Sequence, residues 1–153
     1  MSIEIRDATT DDGDAMLALL PRLAAFEIPA HRKAEHLWTG DAALLREWLA
    51  GDAPQCLVQV AVSAGKIVGM TLTTLRPDLL SHEPGAHLEV IVVAVEAEGS
   101  GAGKALLAEA ELNARRHGAK AMTLHVIESN RRARAVYEHC GYAPELLRYI
   151  KEL

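Results

Sequence analysis

The sequence predicts a mixed α/β domain: a central, mainly antiparallel sheet with helices on both faces. Three observations carry that expectation. Residues 57–75 read as two strands joined by the tight turn Ser63-Ala64-Gly65-Lys66, which makes an antiparallel hairpin. Residues 88–127 read as strand, glycine-rich turn, helix and strand, a unit that joins parallel neighbours. Helical and two-residue apolar periods also alternate along the chain, which puts helices against a sheet.

The elements follow in order. Ile3 and Ile5 alternate with polar residues as a short first strand. Thr9-Thr10-Asp11-Asp12 supplies caps and first-turn acids for a helix whose apolar side is Met16, Leu17, Leu19, Leu20 and Leu23. Pro21 inside that pattern predicts a kink or a break into two pieces. Residues 27–40 show no clean period and read as a loop. Asp41 caps a helix with Leu44, Leu45, Trp48 and Leu49 on one face and Gly51 as its stop. The hairpin strands are Leu57–Val62 and Ile67–Leu75. A loop or short helical turn over Arg76–Gly85 leads into the apolar, β-branched strand Leu88–Val95, the turn Glu98–Gly103, and a helix. That helix has a buried stripe of Leu106, Leu107, Ala110 and Ala114, cations Arg115 and Arg116 in its last turn, and Gly118 at its end. Ala121–Ile127 is the next strand. Ser129-Asn130 caps a helix with Ala133, Val136, Tyr137 and Cys140 on one face and Gly141 after it. Leu146–Ile150 is expected as a last strand, giving the order β α α β β β α β α β.

Composition bounds the function. The 153 residues form one domain, 1–153, with half of its residues hydrophobic and a quarter charged. A net charge of −5 and few aromatics argue against nucleic acid as a partner. Cys56 and Cys140 lack metal-ligand spacing and read as free thiols of a cytoplasmic protein. No metal site is expected: His82-Glu83 is not a zinc motif, because the second histidine falls one place late and Pro84 blocks the helix. The N-terminus lacks a basic region followed by an apolar stretch, so no signal peptide is expected, and no run approaches the ~20 residues that span a bilayer. A homodimer is compatible with these bounds.

The strand, glycine turn and helix start together make an anion site, with exposed N–H groups and the positive end of a helix dipole. Spacing separates the anions. A nucleotide P-loop needs Ser or Thr after its Lys, and Lys104 is followed by Ala105. A dinucleotide fingerprint fits Gly99 and Gly101 but puts Lys104 in place of the third glycine. A coenzyme A diphosphate is the third reading.

Here the chain resembles the GCN5-related N-acetyltransferases. The segment VIVVAVEAEGSGAGKALL is similar to that family's acetyl-CoA motif, [QR]-x-x-G-x-[GA], with Gly101 and Gly103 at the small positions. ESNRRARAVYEHCGY is similar to its N-x-x-A-x-x-x-Y-x-x-x-G-[FY], matched by Asn130, Ala133, Tyr137, Gly141 and Tyr142. The two motifs in this order, about thirty residues apart, are specific together. One position departs: Glu98 stands where the family has Gln or Arg, which predicts weaker coenzyme binding, with the adjacent Lys104 restoring a positive charge.

The resemblance implies an acyl-CoA N-acyltransferase fold and direct acetyl transfer from acetyl-CoA, without a metal, to a primary amine of a small molecule or protein. It further implies that backbone around Ile91, Val92 and Val93 pairs with the pantetheine arm. Residues Glu98, Gly99, Ser100, Gly101, Ala102, Gly103 and Lys104 would surround the diphosphate. Asn130 would hydrogen-bond the pantetheine or cap its helix, and Arg131, Arg132 and Arg134 would lie near the adenosine phosphates. Tyr137 is the expected general acid at the leaving thiolate, and Glu89 the expected base, on one strand face with His87, Ile91 and Val93 while Leu88, Val90 and Val92 face the other way. His82, Glu83 and His87 are further base candidates, and with Trp38 they are expected near the acceptor. Two alternatives stay open at this point: a non-catalytic acyl-CoA-binding or regulatory module on the same fold, and a dinucleotide-binding oxidoreductase.

Overall fold

The computed structural model describes residues 2–153. Its elements are β1 (Glu4–Asp7), α1 (Gly13–Leu19), α2 (Thr39–Leu49), β2 (Cys56–Ser63), β3 (Lys66–Pro77), β4 (Pro84–Val93), α3 (Ala102–Arg116), β5 (Met122–Leu124) and α4 (Arg131–His139), with short 3₁₀ turns between. The strands form one sheet in the order β1-β2-β3-β4-β5. The first three pairings are antiparallel, and β4 with β5 is parallel. Among the described residues, no helix is long and apolar enough to cross a membrane. Both cysteines are free.

The helix expectations hold with shifted ends. Pro21 does break the first helix: α1 stops at Leu19 and residues Leu20–Ala24 continue as a 3₁₀ turn. Helix α2 begins at Thr39, two residues before the expected cap, and residues Ala34–Leu37 of the expected loop form a 3₁₀ turn. Helix α3 buries Leu106, Leu107, Ala110 and Ala114 as its spacing dictates, with Ala102 added at its start. At the other end of the chain, Arg6 grips Asp12 through two hydrogen bonds of 2.8 and 3.0 Å, tying β1 to the turn before α1. That grip, more than any other contact, holds the Asp12 carboxyl below the usual carboxylate range.

The two sheet faces are covered by different helices. Gly69 on β3 lies directly beneath Leu106 of α3, while its neighbours Met70 and Leu72 are fully buried in a cluster that includes Met16, Leu20 and Leu45 from the N-terminal helices. A second cluster, Leu88 with Leu107 and Ala110, takes in Tyr137, Cys140 and Tyr142, so α4 sits beside α3.

Three expectations are corrected. Strand β4 begins at Pro84, and its partner β3 runs on to Pro77, so the expected Arg76–Gly85 loop shrinks to a turn held by Asp78, whose carboxylate accepts from the Leu80 and Ser81 N–H groups. Strand β5 is three residues long where seven were expected. The last strand does not form: residues 143–153 are in no helix or strand, and Leu146, Leu147, Tyr149 and Ile150 are exposed. A strand needs a template, and three residues of β5 offer little of one.

β4 and β5 are also joined through side chains. His87 is buried, and its Nδ1 lies 2.8 Å from Thr123 Oγ1, with the His125 ring edge-on at 4.5 Å. Burial first, then the nearby Arg76 and His125, push the His87 imidazole down from 6.5 to about 4. An unfolded chain therefore binds a proton at this residue that the folded chain refuses between about pH 6.5 and 4, and stability is lost as the pH drops through that window. Urea unfolding at several pH values should show a loss of roughly 1.4 kcal/mol per pH unit from this group, and His87→Gln should flatten the slope. In the core, a Cβ at Gly69 would stand 2.9 Å from Leu106 Cδ1 and 3.0 Å from the Val92 carbonyl oxygen. Gly69→Ala should lower the stability by about 1–3 kcal/mol in the same assay, with no change in m-value.

Candidate active site

The site is built where β4 parts from its neighbours. On β3, Leu72 faces Val90 and Thr73 faces Leu88, so Glu89 is an extra residue with no partner: a β-bulge. The bulge breaks strict alternation. Leu88 and Ile91 both join the cluster under α3, and Val93 Cγ2 would be 3.7 Å from a Cβ at Gly103. The expected facing of Glu89 with Ile91 and Val93, opposite Leu88, is thereby corrected: Leu88, Ile91 and Val93 share the α3 face. Glu89 lies on the opposite face, 3.8 Å from the Arg76 guanidinium and near Asp41 and Cys56.

β5 pairs with β4 only over Ala86, His87 and Leu88. Beyond that point the outer edge of β4 has no strand partner among the described residues. The Ala94 N–H bonds to the Val68 carbonyl on β3, so the groups of Val92 point the same way and those of Ile91 and Val93 point into the gap. Val92 is committed to β3 and its side chain to the core. The open rail is therefore Ile91 and Val93. The Val93 carbonyl already takes a 2.7 Å bond from Arg22 Nε.

At the end of this rail lies the glycine turn. Gly99 and Gly101 have φ of +75° and +88°, and a side chain at either would project into open space. They let the chain double back so that α3 starts with its N–H groups facing the mouth of the gap. The Ala102 N–H is taken by Ser100 Oγ at 3.3 Å, and Ser100 Oγ itself donates to the Ala97 carbonyl. The N–H groups of Gly101, Gly103 and Lys104 have no backbone partner among the described residues. Lys104 is exposed, with no acidic partner among them. The residues present therefore fit a diphosphate: free donors, a fifteen-residue helix dipole and an exposed ammonium.

Helix α4 closes the gap from the α3 side. Asn130 caps it, its Oδ1 accepting from the Ala133 N–H at 3.2 Å, which leaves the amide NH₂ without a partner among the described residues. Arg134 turns back onto Glu128, 2.9 Å from its carbonyl and 3.6 Å from its carboxylate. Tyr137 packs on the Leu88–Leu107 cluster, edge-on to Tyr142 at 6.1 Å. Burial pushes its phenol up, keeping it protonated. Its hydroxyl makes no hydrogen bond among the described residues, whereas the Tyr142 hydroxyl donates to Glu111 at 2.7 Å.

The remaining predicted residues divide. His87 is buried on β4, bonded to Thr123 of β5. Trp38 precedes α2 and is half-buried against the main core. His82 and Glu83 stand in the exposed β3–β4 turn, Glu83 3.4 Å from Lys120, about eight strand residues from Ile91 and so roughly 25 Å away along β4. Two residues escaped sequence reasoning. Asp41, which its place in the sequence assigns to a helix cap, lies near Glu89, and burial followed by that charge pushes its carboxyl up to about 6. Arg22 reaches the site from 71 residues before Val93 and 76 before Glu98. No local pattern announces a contact at that separation.

Comparison with known proteins agrees with this geometry. A model of the acetyltransferase (GNAT) family matches residues 20–142. The chain is 31% identical to the uncharacterized N-acetyltransferase YhfO of Bacillus subtilis (strain 168), over 92% of this chain and 89% of the relative. It is 28% identical to the aminoalkylphosphonate N-acetyltransferase of Salmonella typhimurium (strain LT2), over 98% and 91%. Its fold is similar to the solved structure of AAC(6')-Iy in complex with the bisubstrate analog CoA-S-monomethyl-acetylneamine, at a TM-score of 0.75 and 21% identity over the whole of both chains. The oxidoreductase alternative falls with the dinucleotide fingerprint. A mainly antiparallel sheet, parted at β4 above a glycine turn and matched by this family over residues 20–142, belongs to an acyl-CoA-dependent N-acetyltransferase of the GNAT family.

Proposed function

We propose that this chain transfers the acetyl group of acetyl-CoA directly to a small primary amine in a ternary complex, with Glu89 as base and Tyr137 as acid. One observation carries the reading. The gap between β4 and β5 has a carboxylate on one face, a protonated phenol on the other, and an anion cradle at its end.

Acetyl-CoA supplies an activated acyl group as a thioester. The chain's part is to hold it and to manage two protons. The N–H groups of Gly101, Gly103 and Lys104 receive the diphosphate, and Ile91 and Val93 offer backbone donors and acceptors to the pantetheine amides, as an added strand would use them. An ammonium has no lone pair with which to attack, so Glu89 takes a proton from the acceptor amine, directly or through water. Asp41 beside it gives a cationic acceptor a second carboxylate to lie against. The thiolate that leaves is stabilised when Tyr137 donates its phenolic proton. Small amines are favoured as acceptors because the relative matched over 98% of this chain is named for an aminoalkylphosphonate, and the bisubstrate analog in the fold neighbour carries an acetylneamine.

Two outcomes test the proposal. Acetyl-CoA at a hundredfold excess over Kd should raise the unfolding free energy by about 2.7 kcal/mol, seen as a higher Tm. Gly101→Glu, which forces a side chain at φ +88° into the open cradle, should abolish that rise. A wild-type Tm indifferent to millimolar coenzyme would refute the binding site. Secondly, an amine-library screen with thiol-release detection should find turnover. With the best amine, Tyr137→Phe should lower kcat about a hundredfold or more while the coenzyme Kd stays within a few-fold. Unchanged kcat in that variant would remove Tyr137 from the chemistry.

A further inference from the structure

Glu98 stands where the glycine motif elsewhere carries Gln or Arg, and a bare carboxylate there would repel a diphosphate. In the structure it is not bare. Its Oε1 accepts from Arg22 Nη2, and its Oε2 lies 3.9 Å from Arg132 Nη1 on the first turn of α4. Arg22 belongs to the 3₁₀ turn after α1, and its Nε also donates to the Val93 carbonyl. One guanidinium thus joins the last residue of β4 to the first position of the glycine motif. Its Nη1 has no partner among the described residues, and its side chain is about one quarter exposed (26%).

We propose that Arg22 is the diphosphate-binding cation of this site, and that Glu98 serves to hold it there. The motif's usual charge is moved: it arrives from the N-terminal half of the chain, while the motif position supplies the anchor. This inference rests on the acetyl-CoA reading. Two arginines around one carboxylate leave a net positive charge, to which Lys104 adds. A guanidinium fixed through Nε and Nη2 keeps N–H groups for a phosphate oxygen and has little rotational freedom left to lose on binding. The same bond to Val93 sets the end of the pantetheine rail, so strand edge and cradle are positioned by one side chain.

The alternative is an ion pair that merely ties the 3₁₀ turn to the loop, with Glu98 a residual repulsive charge. Calorimetric titration with coenzyme A separates the two. Arg22→Ala should weaken the Kd by about tenfold or more. Glu98→Gln should leave the Kd unchanged or weaken it. The double variant Arg22→Ala/Glu98→Arg, which puts an arginine at the motif's first position but restores no ion pair, should return the Kd to within about threefold of wild type. A purely structural tie would not be rescued in this way, and the rescue also shows that Arg22→Ala has not acted through misfolding. Wild-type affinity in Arg22→Ala, tighter binding in Glu98→Gln, or no rescue in the double variant would overturn the inference. Failure of the wild type itself to bind coenzyme A would instead overturn the acetyl-CoA reading, and this inference with it.

Discussion

The arrangement of the site depends on one irregularity of the sheet, the unpaired residue Glu89 in β4. A regular antiparallel strand would keep alternation and leave Glu89 on the face of Ile91 and Val93, among the apolar residues beneath α3. Burying a carboxylate there would cost several kcal/mol without a partner. The bulge instead turns Glu89 to the face where Arg76 waits at 3.8 Å, and it bends β4 at the point where pairing with β5 ends. Two consequences share that cause. A titratable side chain is presented to one side of the sheet, and two residues of backbone, Ile91 and Val93, are left without a strand to satisfy them. Unpaired strand edges are ordinarily a hazard that proteins cover. Here one carbonyl of the edge is covered by an arginine, and the rest is open at the mouth of an anion cradle.

Charge at that mouth is arranged over long distances in sequence. A net charge of −5 says nothing about it, because the local balance is set by which side chains meet. Around Glu98 stand Arg22 from the end of the first helical segment and Arg132 from the start of the last. A carboxylate at a helix N-terminus is favoured by the dipole, and two guanidinium groups remove its cost to an incoming anion. Arg134 plays no part in this cluster: it is spent on Glu128. Arg132 and Arg134 look equivalent in sequence, yet their directions around the helix send them to different partners.

Much of the fold was legible in the sequence because its signals are local. Gly101 and Gly118 bracket α3, and the 3–4 spacing of Leu106, Leu107, Ala110 and Ala114 fixes its buried face before any partner is known. Asn130 as cap and Tyr137 and Cys140 as one face of α4 follow the same logic. What failed did so where the outcome is decided by pairing. Leu146–Ile150 has the composition of a strand, but composition does not supply an edge to pair with. The strand patterning placed Glu89 correctly on β4 and incorrectly on its face, since a two-residue period has no way to register an extra residue. Asp41 carried a sufficient local explanation as a cap, which hid its approach to Glu89. His82 and Glu83 are near Glu89 in sequence, but the extended chain between them carries them to the other end of the strand.

Placing Glu89 and Tyr137 on opposite faces suits acyl transfer for a geometric reason. The amine must approach the carbonyl carbon from outside the plane of the thioester, while the sulfur stays tethered to the arm proposed to lie along the rail. A base and an acid on one face would compete for the same approach, and a carboxylate beside the phenol would hydrogen-bond it, much as Glu111 engages Tyr142. A phenol bound to a carboxylate is a poor donor to anything else. The sheet keeps the two apart: Glu89 has Arg76 and Asp41 for company, and Tyr137 has leucines and an aromatic edge. Burial around Tyr137 keeps its proton on. The bulge that turns one residue over thus also separates the environments of the carboxylate and the phenol, the two groups proposed to move protons in direct transfer.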